Sequence, residues 1–267
     1  MTSDNVILVA GGDLRQQYAV RRLRQKTGAD VWTLGLPAQS GLHSAETLEE
    51  VPAYDVLVLP VPASPDGTTV PAPFGKAALP LETLAAHGKP GALVLGGACG
   101  GILPWLESRG LAAADYLRRE ELCLANAVPS AEGAIQIAME ETARTLHGTA
   151  ALVIGYGRIG MALAPRLRGL GMDVTVCARR CETRALAEMQ GFAAVPTEQL
   201  PAAAKAALVI FNTVPALVLD ETVLKGLPQE TLVIDLASRP GGTDFEAAKR
   251  LRTRVVWALS LPPEMRR

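Results

Sequence analysis

The stretch GYGRIG, residues 155–160, has the glycine spacing of a turn that holds a phosphate group. It follows an apolar run and opens a segment with helical apolar periodicity, which is the context that a dinucleotide-binding turn requires. In such a turn the first glycine allows a tight bend, the second lets a pyrophosphate approach the backbone, and the third permits close packing of helix on strand. The alternative is an ordinary glycine-rich turn. The predicted cofactor contacts are Gly155, Gly157, Arg158, Ile159 and Gly160.

About twenty residues after this turn, the next predicted strand ends in Ala178, Arg179 and Arg180. Dinucleotide folds that bind NAD usually place an acid at this strand end, where it accepts a hydrogen bond from the ribose 2′-hydroxyl. An acid would repel a 2′-phosphate, whereas the forked guanidinium groups of arginine match phosphate oxygens. The predicted cofactor is therefore NADP rather than NAD. The alternative is that both arginines are solvated loop charges.

Two later predicted strands also end in polar or turn-forming residues. Because open α/β sheets bind ligands at the carboxyl ends of their strands, we expect both ends to contact the cofactor. The alternative, turn residues chosen for backbone shape, suits the prolines and glycines better than the polar residues. The predicted contacts are Asn212, Thr213, Val214 and Pro215 after one strand, and Asp235, Ala237 and Ser238 after the next.

The first half of the chain carries polar candidates at comparable places. Asp13 and Arg15 follow the strand-like run VILVAGG, and NAVPSAEG places Asn126, Ser130 and Glu132 near the start of a predicted long helix. Arg15 and Glu132 are either ligand contacts or helix-surface charges. Ser130 is either a ligand contact or a helix cap.

These candidates need strands and helices that bring strand ends together. Apolar runs alternate with amphipathic segments in both halves, which predicts an α/β fold of two doubly wound parallel-sheet domains, the second a Rossmann domain. Pro129 and Ser130 predict the start of a long connecting helix, and Gly148 predicts its end. We expect a flavodoxin-like substrate domain at 1–126, a connecting helix at 127–147 and a dinucleotide-binding domain at 148–267. The predicted strands lie at 6–12, 30–36, 55–62, 91–97, 149–154, 172–178, 207–212, 231–237 and 254–259.

Composition excludes several classes of function. The 267 residues are 49% hydrophobic with a formal net charge of −1, so a sizeable core is expected, and nucleic-acid or membrane-surface binding has no electrostatic support. No apolar run is long enough to span a bilayer, and the N-terminus lacks the pattern of a signal peptide. None of the four cysteines forms a CxxC pair, and no metal site is predicted. The expectation is a soluble cytoplasmic protein.

Several stretches together resemble the A subunits of bacterial dipicolinate synthases. The resemblance implies a two-domain, formate-dehydrogenase-like architecture and an NADP-linked oxidation of dihydrodipicolinate to dipicolinate. It also implies that a flavoprotein-like B subunit is the partner, and a place in the mother cell of a spore-forming bacterium; assembly with further copies of the chain is left open. The matching stretches are GGDLRQ at 11–16, DVLVLPVP at 55–62, NAVPSAEGAIQIAME at 126–140, VIGYGRIG at 153–160, FNTVPA at 211–216 and DLASRPGG at 235–242.

On this resemblance the substrate is a dicarboxylate. We expect Asp13, Arg15, Asn126 and Arg239 to bind it, and we expect catalytic roles for Ser130, Glu132 and Asn212, with Glu132 as the base. The family continues after VVWALSLP into a further helix, whereas this chain continues only with PEMRR, so closure by that helix is not expected.

Two alternatives remain open. One is a 2-hydroxy-acid or amino-acid dehydrogenase of the same architecture. Enzymes of the 2-hydroxy-acid class usually employ a histidine near the last strand, and no histidine follows His147 here, which argues against that chemistry. The other is a non-catalytic protein that only binds NADP within a larger enzyme.

Overall fold

The computed structural model describes residues 5–38 and 41–259. The chain divides into two compact units, residues 1–122 (unit 1) and 123–267 (unit 2). The segment PEMRR and the residues before it from 260 onward lie outside the described residues, so the expectation about closure is not addressed by the structure.

Unit 1 is built on a six-stranded sheet in the order β3-β2-β1-β4-β7-β8, in which every pairing between described strands is parallel. A short antiparallel pair, β5–β6, stands apart from it. Single turns of 3₁₀ helix lie at Leu48–Glu50 and Tyr116–Arg118. The elements are β1 (Val6–Ala10), α1 (Leu14–Thr27), β2 (Asp30–Leu34), β3 (His43–Ala45), β4 (Tyr54–Val58), β5 (Thr69–Val70), β6 (Leu79–Pro80), α2 (Leu81–Ala86), β7 (Gly88–Gly96), α3 (Leu103–Ser108) and β8 (Ala112–Asp115).

The central strand of unit 1 shows why the sheet forms. All five residues of β1, VILVA, are buried, as expected for a strand that is covered on both faces of a parallel sheet. The helix that follows, α1, is capped at both ends. Asp13 caps its start by accepting a hydrogen bond from the Arg15 N–H, and Gly28 ends it in the left-handed conformation.

A long helix, α4 (Glu120–Glu141), spans the boundary between the two units. The predicted start at Pro129 and end at Gly148 are both wrong. Pro129 lies inside the helix, where it cannot donate to the carbonyl four residues earlier. The Ser130 hydroxyl is bonded to the Asn126 carbonyl at 2.9 Å, which is helix-interior geometry rather than a cap. The division at 126 and 147 stays a prediction.

Unit 2 repeats the same sheet pattern, in the order β11-β10-β9-β12-β13-β14, again with parallel pairings. The predicted fold class, two doubly wound parallel sheets joined by a long helix, is confirmed. A 3₁₀ turn lies at Thr197–Gln199. The elements are β9 (Ala150–Ile154), α5 (Arg158–Gly169), β10 (Asp173–Cys177), α6 (Cys181–Met189), β11 (Ala193–Val195), α7 (Leu200–Ala206), β12 (Val209–Asn212), α8 (Glu221–Lys225), β13 (Leu232–Asp235), α9 (Phe245–Leu251) and β14 (Arg254–Trp257).

Most predicted strands are present but shorter than predicted. The strand predicted at 55–62 ends at Val58, because Pro60 and Pro62 have no N–H to donate to a ladder. In contrast, β7 starts at Gly88, earlier than predicted. The edge strand β8 was not predicted, because AAAD carries neither β-branched nor aromatic residues.

Candidate functional site

The turn between β9 and α5 has the geometry of a nucleotide cradle, and each glycine has its own reason. Gly155 has φ +87°, and a Cβ there would lie 2.4 Å from the Thr213 hydroxyl oxygen. A Cβ on Gly160 would lie 2.3 Å from the Gly155 carbonyl oxygen, so helix and strand can approach only with glycine at this position. A Cβ on Gly157 would meet no atom within 4 Å. The open side of the turn is therefore at Gly157.

The helix start at this turn fits an anionic ligand. Gly157 is the N-cap of α5 without a side-chain cap bond, and the first turn of α5 contains no acidic residue. Uncapped N–H groups at a helix start attract negative charge. The space at Gly157 and this helix start together fit the pyrophosphate of a dinucleotide.

The equivalent turn of unit 1 is closed, although its sheet has the same strand order. A Cβ on Gly11 would lie 2.5 Å from the Pro71 carbonyl oxygen, and the Gly12 N–H donates to that oxygen at 2.7 Å. At the N-cap, where unit 2 has Gly157 without a side-chain cap bond, unit 1 has Asp13, whose side chain accepts from the Arg15 N–H. This contrast assigns the cradle to the second half of the chain.

Beyond β10, Ala178 is buried and Arg179 and Arg180 are exposed. Arg184, which was not predicted from the sequence, donates from Nη1 to the carbonyl oxygens of Ala178 (2.9 Å) and Arg179 (2.8 Å). It therefore braces the backbone that carries the arginine pair. Within the described residues, no hydrogen bond or ion pair engages the guanidinium groups of Arg179 and Arg180.

Asp235 is fully buried at the end of β13 and joins several loops. Its Oδ1 accepts from Asn212 Nδ2 and the Ala237 N–H, both at 3.0 Å. Its Oδ2 accepts from the Gly242 N–H at 2.9 Å and from the Thr243 hydroxyl at 2.7 Å. These four donors compensate a carboxylate that would otherwise be costly to bury. Asp235 therefore shapes the loop after β13, and its predicted contact with the cofactor stays a prediction.

Asn212 is equally buried. Its Nδ2 donates to Asp235 and to the Val214 carbonyl (3.1 Å), and its Oδ1 accepts from the Val214 N–H (3.0 Å). Both amide hydrogens are thus engaged, which gives Asn212 a positioning role, and the predicted catalytic role stays a prediction. The loop that it shapes reaches the cradle, since the Thr213 hydroxyl donates to the Ile154 carbonyl at 2.9 Å beside Gly155.

The remaining predicted residues of these loops lie at the surface to different degrees. Pro215 and Ser238 are exposed, Val214 is half-buried, and Ala237 is buried with its carbonyl accepting from Trp257 Nε1 at 3.1 Å. The Arg239 guanidinium lies over the Trp257 ring, 5.7 Å from its centroid. Contacts of these residues with ligands stay predictions.

The candidates on α4 do not form a catalytic group. Ser130 is buried against its own helix, and Glu132 is exposed and lies 3.7 Å from Arg166 Nε. Arg166 is eight residues beyond Arg158, or about 12 Å along α5. Glu132 therefore pairs with the flank of α5 away from the cradle, which argues against the predicted base. Asn126 is exposed on the first half of α4.

At the carboxyl edge of the unit 1 sheet, Asp13 and Arg15 form an ion pair with two near-parallel hydrogen bonds. Arg15 Nε lies 2.9 Å from Asp13 Oδ1, and Arg15 Nη2 lies 2.6 Å from Oδ2. The Arg15 side chain holds the pKa of the Asp13 carboxyl below its ordinary value, against an opposing effect of burial. The pair is half-exposed, and Arg15 Nη2 also lies 3.5 Å from the Val61 carbonyl oxygen.

Two further residues at this edge were not predicted from the sequence. The Tyr116 hydroxyl donates to the Leu59 carbonyl at 3.1 Å, and burial raises its pKa to about 12, so it remains a donor near neutral pH. Asp115 accepts from the N–H groups of Ala98 and Cys99, and so fixes a turn in which Ala98 has φ 52°. Their signal is weak in sequence because they follow an alanine-rich edge strand.

Comparison with known proteins identifies the family. The profile described as the N-terminal domain of the dipicolinate synthase A subunit matches residues 6–117, and that described as D-isomer specific 2-hydroxyacid dehydrogenase, NAD binding domain, matches 124–239. The A subunit of dipicolinate synthase from Bacillus subtilis (strain 168) is 31% identical over 265 residues, covering 96% of this chain and 88% of that protein. The chain belongs to the family of dipicolinate synthase A subunits.

Solved structures of this family share the whole architecture. The A subunit of dipicolinate synthase from Bacillus halodurans matches with a TM-score of 0.85 at 28% identity, covering 95% of this chain and 89% of that one. The structure from Bacillus subtilis matches with a TM-score of 0.84 at 29% identity, covering 97% and 89%. D-lactate dehydrogenase from Salmonella, at 18% identity and a TM-score of 0.65 (92% and 74% covered), shares the fold alone. Unit 2 is a nicotinamide-dinucleotide domain of the dehydrogenase type.

Membrane-spanning helices and metal clusters are both missing from the described part of the chain. No helix among the described residues is both long and apolar enough to cross a membrane. In the same part of the chain, no group of three or more histidine, cysteine or acidic side chains is placed to hold a metal ion.

The cradle geometry predicts different outcomes for two glycine substitutions. Gly157→Val should leave the melting temperature nearly unchanged, because its side chain enters open space, but should abolish dinucleotide binding by filling the pyrophosphate site. Gly160→Val should instead destabilise unit 2, because its Cβ meets backbone. Thermal denaturation and calorimetric titration of the cofactor check both. Normal cofactor binding by Gly157→Val would show that the cradle is wrongly assigned.

The buried carboxylate predicts a graded loss of stability. Asp235→Ala should lower the free energy of unfolding by about 3–5 kcal/mol, because several buried donors lose their acceptor. Thr243→Val should cost only about 1 kcal/mol, because one donor and its single bond are removed together. Urea denaturation followed by far-UV circular dichroism tests the order, and equal losses for the two variants would contradict it.

Proposed function

We propose that the protein catalyses the NADP-linked oxidation of dihydrodipicolinate to dipicolinate. The observation that carries this proposal is a cradle, open at Gly157 and followed by two exposed arginines, in a chain of the dipicolinate synthase family. When bound, NADP would supply the acceptor for a hydride, that is, for two electrons and one proton. The substrate ring also releases one proton as it becomes aromatic.

The preference for NADP is proposed from charge. The end of β10 presents Arg179 and Arg180 to solvent on a backbone that Arg184 braces. The first acid after them is Glu182, in the first turn of α6, and its pKa is lowered by its own backbone N–H and also by Arg180 and Arg184. A 2′-phosphate offers such arginines charge-assisted hydrogen bonds that a 2′-hydroxyl cannot match. The cofactor contacts proposed for the strand-end loops are those of Thr213, Val214, Pro215 and Ser238, with Asn212 and Asp235 acting through loop shape.

The substrate carries two carboxylates, and guanidinium groups bind carboxylates well. Arg15 in unit 1 and Arg239 in unit 2 are the proposed contacts, together with the Asn126 amide. Asp13 acts through Arg15, whose guanidinium it orients. Since Ser130 and Glu132 lack suitable geometry, we assign no side chain as base, and aromatisation supplies the driving force for release of the proton.

The family name refers to one component of a larger enzyme. We therefore propose assembly with the B subunit of dipicolinate synthase, a flavoprotein-like partner, and a place in the cytoplasm of the mother cell. Copies of this chain assembling with one another is a secondary proposal.

A 2-hydroxy-acid dehydrogenase is the second candidate, favoured by the match of 124–239 to that NAD-binding domain. Its usual histidine is missing. His43 stacks on Trp32, a His87 ring nitrogen lies 2.7 Å from the Val51 carbonyl oxygen, and His147 packs on Gly171.

A non-catalytic NADP-binding role is distinguished by one assay: the change in nicotinamide absorbance on addition of dihydrodipicolinate. No change in nicotinamide absorbance when the B subunit of dipicolinate synthase is also present would reject the proposed reaction.

Cofactor choice gives the first quantitative test. NADP should bind more tightly than NAD by about 1–3 kcal/mol, and Arg179→Ala/Arg180→Ala should remove most of that difference. The control Lys205→Ala/Lys225→Ala removes the same amount of charge from the last turns of α7 and α8. It should leave the preference for NADP intact. Calorimetry measures all affinities. Equal affinities of the unmodified protein for the two cofactors would reject the assignment.

Substrate binding gives the second test. Arg15→Ala should weaken dipicolinate binding about tenfold to a hundredfold, the effect of losing a charged hydrogen bond to a carboxylate, with little change for NADP. Arg22→Ala, an exposed position later on α1, is the control and should have no effect. Titration of dipicolinate into each variant measures this. An unaltered affinity in Arg15→Ala would remove Arg15 from the site.

A further inference from the structure

Gln16 is a buried polar residue to which the proposed mechanism assigns no role. It lies in the first turn of α1 and is only 8% exposed. Its amide nitrogen Nε2 is enclosed and has no hydrogen-bond partner among the described residues. A buried donor without an acceptor is costly, and such groups are rare in native structures. Gln16 Nε2 therefore needs a hydrogen-bond acceptor that the described residues do not provide. A ligand could supply it.

The side chain lies at a place where ligands bind in this class of fold. A Cβ added to Gly12 would lie 2.6 Å from Gln16 Cγ and 2.8 Å from Pro60 Cβ, so the side chain fills the gap between the chain after β1 and the chain after β4. The strand order reverses between these two neighbouring strands, since β2 and β3 lie on one side and β7 and β8 on the other. Open α/β sheets bind ligands at such switch points.

The charges nearby indicate the class of ligand. No acidic residue lies in the first turn of α1, and the carboxylate of the N-cap Asp13 is engaged by Arg15. Tyr116 lies at the same edge, but its hydroxyl hydrogen is already donated to the Leu59 carbonyl. The Gly12 N–H already donates to the Pro71 carbonyl, so it cannot donate to a phosphate oxygen. A carboxylate needs fewer donors than a pyrophosphate, and it is therefore the anion that fits this position better.

We propose that Gln16 binds the substrate, by donating a hydrogen bond from its amide to one of the two carboxylates. This inference rests on the proposed function and deepens it. Because Nε2 is enclosed, the proposal requires rotation about the terminal side-chain bond, whose preference is broad, to turn Nε2 toward the ligand. Arg15 then supplies the charge, and Gln16 supplies a neutral donor that fixes the orientation of the carboxylate plane.

Two variants separate this role from simple space filling. Gln16→Met keeps the length of the side chain but removes the unpartnered donor, so the melting temperature without ligand should rise by roughly 2–4 °C. Its affinity for dipicolinate should fall about tenfold or more, the effect of losing one hydrogen bond to a charged group. Gln16→Glu should weaken binding further, because it places a like charge beside the carboxylate. Gln17→Met is the matched control and should change neither quantity.

Dipicolinate is titrated into each protein at saturating NADP and 25 °C, after circular dichroism has shown that the variant is folded. Weaker binding in both Gln16 variants, with NADP affinity unchanged, supports the inference. Dipicolinate binding by Gln16→Met or Gln16→Glu at the wild-type affinity overturns it and leaves the proposed function standing. Failure of the wild-type protein to bind dipicolinate while it binds NADP overturns both.

Discussion

The close approach of α5 to the end of β9 is the constraint on which the architecture of unit 2 depends. A Cβ on Gly160 would lie only 2.3 Å from the Gly155 carbonyl oxygen. The helix can therefore start directly over the strand end only if both residues lack side chains. That approach aims the helix start at the open side of Gly157. The loop after β12 then closes against the same turn, because Thr213 bonds to the last residue of β9.

The buried carboxylate of Asp235 extends this arrangement across the sheet. It ties β12 to β13 through Asn212 and shapes the segment 237–243 through two backbone N–H groups and a hydroxyl. The polar residues at these strand ends are therefore of two kinds. The buried ones form the loops, and the exposed ones, such as Ser238 and Arg239, are available to ligands.

The first turns of the two units differ although their sheets share one strand order. In unit 2 the N-cap is Gly157, where a Cβ would meet no atom within 4 Å. In unit 1 the N-cap is Asp13, which is paired with Arg15, and the Gly12 N–H donates to the Pro71 carbonyl. The turn of unit 2 therefore has space for a phosphate group beside its backbone, whereas the turn of unit 1 carries an acidic side chain and an engaged N–H.

The sequence by itself determined the fold class, the position of the cradle and the arginine pair after β10, because apolar periodicity and glycine spacing are local patterns. Only the tertiary structure decided which polar residues are free to act. In sequence, Asn212, Asp235 and Ser238 are all polar residues at strand ends. In the structure the first two are buried and hydrogen-bonded to each other, whereas Ser238 is exposed. Glu132 is paired with Arg166 on α5. The helix continues through Pro129 because packing of Ala131, Ala134 and Ala138 outweighs one lost backbone hydrogen bond. Such outcomes depend on contacts between residues far apart in the chain, which no local pattern encodes.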